Sequence, residues 1–186
     1  MNILSLFCGT DNFRKQLEEI RPNLYRVAYS WSHNAALADD LVQETLVKAL
    51  KNTSQLRDPE LLNGWVFTIL ANCWRDHFRK HREMEDIDEL EDYRCATQTT
   101  PEDDHSRSQV VSRVRDAVAK LPMAQRQVLT LVDLEEFAYI DVAAILAIPI
   151  GTVMSRLSRA RQELKILLNE LAPQQSVHVS QIRRVI

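Results

Sequence analysis

Hydrophobic positions along this chain return at three- and four-residue spacing, which predicts helices. From Phe13 to Trp31 the apolar residues Leu17, Ile20, Leu24, Val27, Ala28 and Trp31 fall on one helical face, and Pro22 inside the pattern predicts a kink or a break. A second helix is expected from Ala35 to Leu50. It turns Leu37, Leu41, Val42, Thr45, Leu46 and Ala49 inward and Asp39, Asp40, Gln43, Glu44 and Lys48 outward. Residues Lys51 to Glu60 are polar, carry the turn signal Asp58-Pro59 and read as a loop. A long helix then runs from Leu61 to Arg82, with the stripe Leu62, Trp65, Val66, Ile69, Leu70, Cys73 and Trp74 and with Phe78 at its margin.

Helical spacing resumes near Gln109, where Val110, Val114, Val118 and Leu121 line one face and Pro122 sits in the first turn of the next helix. A short helix from Asp141 to Leu146, a tight turn closed by Pro149 and a second helix opened by Gly151-Thr152 follow in the order of a helix-turn-helix. The second helix buries Val153, Leu157, Ala160, Leu164 and Leu168 and leaves Arg156, Arg159, Arg161 and Lys165 to project outward. A basic outer face on that helix is what docking in a DNA major groove requires. The ordinary alternative is a solvated face, but the cations here cluster instead of alternating with acids. With only 3 glycines in 186 residues and no strand pattern, the fold class is all-α, in one or two small domains.

Charge changes this picture. The formal net charge of −3 argues against a nucleic-acid partner, yet residues 83–104 contain ten acids and one base, Arg94. Of the 26 acids and 23 bases, 16 and 22 remain outside that segment, a balance of +6. The chain thus divides into two basic helical parts and an acidic connector poor in large apolar residues. Such a connector cannot bury enough surface to offset its ordering entropy and reads as a flexible linker, with room for a helical turn near Ile87 to Leu90. The boundaries that follow are 1–84, 85–106 for the linker, 107–172, and a tail of 173–186 without usable period.

Catalytic chemistry is not suggested. The histidines His33, His77, His81, His105 and His178 lack partners at metal-ligand spacing, and His77 and His81 enclose no glutamate. There is no phosphate-binding glycine loop or nucleophile elbow, and carboxylates abound only in the linker. No enzyme activity, catalytic residue, metal ion or cofactor is expected. Cys8, Cys73 and Cys95 are odd in number and read as free thiols of a reducing cytoplasm. No stretch is long enough to span a membrane, and the run Ile3 to Cys8 is too short for a signal-peptide core.

Leu121-Pro122, Gln125-Arg126-x-Val128-Leu129, Tyr139, Val142-Ala143, Leu146, Ile148-Pro149-x-Gly151-Thr152-Val153, Ser155-Arg156-Leu157 and Arg159-Ala160-Arg161 resemble region 4 of bacterial sigma factors of the extracytoplasmic-function group. Asp39-Asp40-Leu41-Val42-Gln43-Glu44-Thr45 with Lys48-Ala49 resembles their region 2.2. Trp65-x-x-x-Ile69-x-x-Asn72 with Arg75-Asp76 and Arg79 resembles their regions 2.3 and 2.4. The matches cover about three-quarters of the chain and lie in the group's order, with no region 1.1 or region 3 between them.

The resemblance implies a sigma region 2 bundle and a sigma region 4 helix-turn-helix. Asp39, Asp40, Gln43 and Glu44 would dock on core RNA polymerase. Asn63, Trp65, Asn72, Arg75 and Arg79, with the loop from Asn52 to Asn63, would open and read the −10 element. Asn72 would meet the edge of an extruded base, since an amide offers donor and acceptor together. Trp65 and Trp74 could stack on bases, although their place on the apolar stripe favours core packing. At the −35 element the contacts would come from Thr152, Met154, Ser155, Ser158 and Arg159, with Arg156 and Arg161 on phosphates. An anti-sigma factor as regulator is also implied, and the chain would not itself insert in a membrane.

The sequence departs from the group's pattern at three positions. Met154 replaces a basic residue. Ala138 stands where a serine commonly caps the preceding helix, a loss of about 1 kcal/mol. Ala147 replaces the turn glycine and would be strained to a similar extent if that position needs a positive φ. Two rival readings are a stand-alone helix-turn-helix regulator binding duplex DNA as a dimer, and a sigma-like decoy that titrates an anti-sigma factor.

Overall fold

The computed structural model describes residues 3–56, 58–84 and 107–171. Seven α-helices account for most of them: α1 Ile3–Ser32, α2 Ala35–Lys51, α3 Leu62–Met84, α4 Arg107–Ala119, α5 Met123–Leu129, α6 Tyr139–Leu146 and α7 Ile150–Leu171. Among the described residues there is no strand. The acidic connector with its expected turn, Cys95 and the tail beyond Leu171 lie outside them.

The first bundle is α1 to α3. The expected break at Pro22 is absent, and α1 continues through it. Pro22 lies on the exposed side of the helix, where water can reach the carbonyl that loses its amide partner. The helix ends instead at His33, whose φ of 48° is left-handed and whose N–H donates to the Tyr29 carbonyl at 2.7 Å. Asn34 then caps α2, its Oδ1 accepting from the Leu37 N–H at 3.1 Å. Two 3-10 turns, Thr53–Gln55 and Pro59–Leu61, carry the chain from α2 to α3, the second capped by Asp58.

The core of this bundle follows the apolar stripes, with Leu24, Val27, Ala38, Leu41, Val66, Leu70 and Cys73 buried. Phe67, off the stripe read from the sequence, is buried as well because α3 has a second covered flank. Its ring lies 5.0 Å from that of Phe137, edge to face, where α3 meets the other bundle.

The second bundle is α4 to α7. Pro122 precedes α5 as its N-cap instead of sitting in its first turn. At its far end α5 widens into a π turn, Thr130–Leu134, closed by the Glu135 N–H to Thr130 carbonyl bond at 3.1 Å. The α6 and α7 axes differ by 103°, within the range of a helix-turn-helix. Helix α7 opens at Ile150, one residue before Gly151, and Val153, Leu157, Ala160, Leu164 and Leu168 are all buried as the spacing requires.

The two bundles pack directly on each other. Trp31, with no exposed surface, donates from Nε1 to the Thr130 hydroxyl at 2.8 Å. Arg126, 3% exposed, donates to the carbonyls of Trp31 at 3.0 Å and Leu121 at 2.9 Å, and also to that of Ala119. Arg26 reaches across to Glu135 at 2.8 Å.

Candidate nucleic-acid interface

An open cleft of about 540 Å³ lies where the C-terminal end of α2 and the turn after it face the middle of α3. Lys48, Asn52, Gln55, Ile69, Asn72, Arg75, Asp76 and Arg79 line it. Helical spacing brings the last group together: Ile69, Asn72, Asp76 and Arg79 recur at three- and four-residue steps along one flank of α3, with Ile69 at the margin of the buried stripe and packed in part against the core. Asn72 is exposed, and its Oδ1 accepts from the Arg75 guanidinium, which leaves the amide nitrogen to donate into the cleft. Arg75 also donates from Nε to the Ala71 carbonyl at 3.3 Å and is thereby held along the helix.

Electrostatics tie this cleft to the outer face of α2. Lys48 bonds Glu44 at 2.8 Å and lies 3.7 Å from Asp76, and Asp76 in turn takes Arg79 at 3.2 Å. The Glu44 hydrogen bond chiefly holds the Lys48 amine above its ordinary value, so it stays charged. Burial pushes the neighbouring Cys73 thiol up, leaving a poor nucleophile inside the core.

Of the residues read from the sequence for this region, Asn72, Arg75 and Arg79 line the cleft. Asn63 and Trp65, in the first turn of α3, do not; Asn63 is exposed, and Trp65 is half-buried against the core. Trp74 is buried, its ring 5.9 Å from Trp31 and 4.5 Å from Phe78. Lys48, Asn52, Gln55, Ile69 and Asp76 complete the lining without having been singled out as contacts. Asn52 is fixed by donating from Nδ2 to the Lys48 carbonyl at 2.8 Å and accepting from Gln55 at 3.3 Å. The polar loop composition located this segment, but only the fold shows which of its side chains turn toward α3. Asp39, Asp40, Gln43 and Glu44 are all exposed and form one continuous outer face of α2.

On α7 the residues Met154, Ser155, Ser158 and Arg159 are exposed, and Thr152 and Arg156 are half-buried. The Ser155 hydroxyl donates to the Thr152 carbonyl at 3.1 Å. Arg161 grips Asp133 of the π turn through Nε at 3.1 Å and through a second guanidinium nitrogen, and this carboxylate pushes its pKa further up. Ala147 does adopt a left-handed conformation, φ 54°, and Ala138 caps α6 without a side-chain bond. Both departures from a well-made helix-turn-helix are therefore structural facts of this chain.

Among the described residues no group of three or more His, Cys, Asp or Glu could hold a metal ion, and no single helix is long and apolar enough to cross a membrane. A cationic cleft on one bundle and a helix-turn-helix with exposed arginines on the other define a helical DNA-binding protein of two units.

Comparison with known proteins narrows that class. The Sigma-70 region 2 family matches residues 17–84, and the Sigma-70 region 4 family matches residues 112–164. The chain is 41% identical over 160 residues to the ECF RNA polymerase sigma factor EcfG of Rhodopseudomonas palustris (strain TIE-1), which spans 86% of each protein. It is 32% identical over 144 residues to ECF RNA polymerase sigma factor SigE of Mycolicibacterium smegmatis, over 76% of this chain and 56% of that one. Among solved structures it resembles the sigma factor RpoE in complex with the anti-sigma factor NepR from Bartonella quintana, with a TM-score of 0.67 and 31% identity over 85% of this chain and 97% of that one. The chain belongs to the extracytoplasmic-function group of the sigma-70 family of RNA polymerase sigma factors.

Proposed function

We propose that the chain directs core RNA polymerase to a set of promoters, with residues 1–84 binding polymerase and the −10 element and residues 107–172 binding the −35 element, joined by the acidic segment 85–106. The observation that carries this reading is a juxtaposition. The exposed acidic face of α2 (Asp39, Asp40, Gln43, Glu44) is wired through Lys48 and Asp76 to the cleft holding Asn72, Arg75 and Arg79. Docking on the polymerase clamp thus fixes the side chains that meet the melted strand. An extruded base of that strand enters the cleft, where Asn72 bonds its edge, Ile69 supplies an apolar wall and the guanidiniums neutralise adjacent phosphates. Helix α7 enters the major groove of the −35 duplex, with Ser155, Ser158 and Arg159 toward bases and Arg156 toward phosphate. The Thr152 carbonyl takes the Ser155 hydroxyl in the first turn of α7, and the Arg161–Asp133 pair steadies that helix on the π turn that follows α5.

Asn63 and Trp65 flank the cleft at the start of α3 and contact the strand beyond the captured base. The protein performs no reaction of its own; bond formation belongs to the polymerase. Its control is assigned to an anti-sigma factor, supported by the Bartonella quintana sigma factor, 31% identical, whose structure is of such a complex. Its place of action is the cytoplasm, where polymerase and chromosome are.

The test is run-off transcription with purified core polymerase on a pool of genomic promoter fragments, with and without this protein. New discrete starts sharing elements near −35 and −10 are expected. Duplex binding without starts would indicate a stand-alone regulator instead, and neither starts nor DNA binding would indicate a decoy.

A further inference from the structure

We propose that Ile150 and Met154 form an apolar reader on α7 that recognises the 5-methyl groups of thymine in the −35 duplex. The inference rests on the reading above that α7 enters the major groove, and it goes further by naming the base feature these residues select.

Ile150, Met154 and Ser158 stand at i, i+4 and i+8 and make one row along the exposed flank of α7. Ile150 is 43% exposed and Met154 53% exposed, while Val153 and Leu157 beside them are buried and fix the rotation of the helix. Two large apolar side chains are therefore held in water at the end of the helix that leads into the groove. Neither can donate a hydrogen bond, and the only acceptor between them is the weak thioether sulfur of Met154. The major-groove edges of base pairs offer such groups one apolar feature, the methyl on C5 of thymine. Polar readout is confined to their neighbours: Ser158 further along the same row, and Ser155 and Arg159 on the adjoining flank. Arg161, which shares the flank with Met154, is turned away onto Asp133 and does not supply a competing guanine contact there.

Thymine is thus selected opposite Ile150 and Met154, on either strand, and guanine opposite Arg159. Removing one methyl group from such a contact costs on the order of fourfold in binding. Because both side chains are exposed, Ile150→Ala and Met154→Ala leave the fold intact, and an unchanged melting temperature verifies it.

The experiment reconstitutes holoenzyme from core polymerase and the full chain on a promoter obtained by run-off transcription. Each −35 thymine is replaced in turn by deoxyuridine, which keeps the base pair and deletes the methyl. The expected result is a roughly fourfold loss of transcription at one or two positions with the unaltered protein. In Met154→Ala or Ile150→Ala that loss vanishes at the matching position, while sensitivity to changes at the guanine positions remains. In Met154→Arg the preference at one position moves from T·A to G·C. The proposal is overturned if no deoxyuridine substitution reduces transcription, if the −35 element contains no thymine on either strand, or if the loss persists in both alanine variants. Failure of the sigma reading itself would look different: no transcript from any template, thymine-containing or not.

Discussion

At the seam between the two bundles Arg126 is 3% exposed and donates to three backbone carbonyls, those of Trp31, Leu121 and Ala119. On α7 Arg159 is exposed at the surface offered to the groove. The two side chains are chemically identical, and both belong to the stretch that resembles sigma region 4. Their surroundings give them opposite work. A buried guanidinium has lost its water, so its value lies in saturating carbonyls that would otherwise be orphaned, and it joins helices that are distant in sequence. An exposed one keeps its hydration until a phosphate or a guanine displaces it, and it contributes little to folding. The seam repeats this lesson with Trp31. Its indole is core on its apolar sides and bonded to Thr130 at its one polar atom, whereas Ile150 and Met154 are apolar groups left in solvent.

The largest effect that can sharpen this contrast is a matched pair of substitutions. Arg126→Met leaves buried carbonyls unsatisfied and is expected to lower stability by about 3 kcal/mol, whereas Arg159→Met changes it by under about 0.5 kcal/mol. Urea unfolding midpoints of both variants decide it, and equal midpoints would break the comparison.

His33 provides the next largest. Burial, and then the charge of nearby Arg126, push its pKa down to about 4, so the folded protein favours the neutral ring. Its contribution to stability is therefore full above pH 6.5, declines as the pH falls toward 4 and is lost below that. Because the ring is partly exposed, the effect is discounted to about 1–2 kcal/mol. Carboxylates titrate over the lower part of the same window, so the quantity to measure is the difference between this protein and His33→Asn. Asparagine tolerates the left-handed backbone, and the variant should show a shallower loss of melting temperature between pH 7 and pH 4.

On the nucleic-acid side, Asn72→Ala should lower promoter opening about tenfold, equivalent to about 1.4 kcal/mol, while the melting temperature stays within a degree or two. Permanganate footprinting of the melted strand measures the first and calorimetry the second. A large loss of stability would place Asn72 with Arg126 instead of with Arg159.

The smallest effect is in the turn between α6 and α7. Ala147→Gly relieves a left-handed alanine and should stabilise the protein by about 0.5 kcal/mol, after the greater freedom of glycine in the unfolded chain is counted. Thermal unfolding should move slightly upward, with no change in promoter preference.

Much of the architecture was legible from residue spacing. The inward stripes of α2 and α7 fell where the period put them, and the helix-turn-helix with its capping alanine and its turn alanine was read almost residue by residue. Pro22 does not end the helix, because a proline signal carries no information about exposure. On the solvent side of α1 the lost hydrogen bond is replaced by water, and the helix continues. Phe67 was missed because a single amphipathic stripe cannot announce a second buried flank, and that flank exists only because Phe137 of the other bundle arrives there. In the cleft, Asn72, Arg75 and Arg79 were found because they share α3. Asn52 and Gln55 became members through the turn that folds them toward it.

The sequence by itself determined the all-helical class, the sigma-type order of its two units and the outward faces of α2, α3 and α7, because helical periodicity and short motifs are local properties written within a few turns. Tertiary structure alone decided what lies between the units. Trp31, Arg26 and Phe67 meet Thr130, Arg126, Glu135 and Phe137 across separations of about 70 to 109 residues in the chain. Whether a polar side chain there serves as a buried tie or as an exposed reader depends on which surfaces remain for it after packing, and no local pattern encodes that.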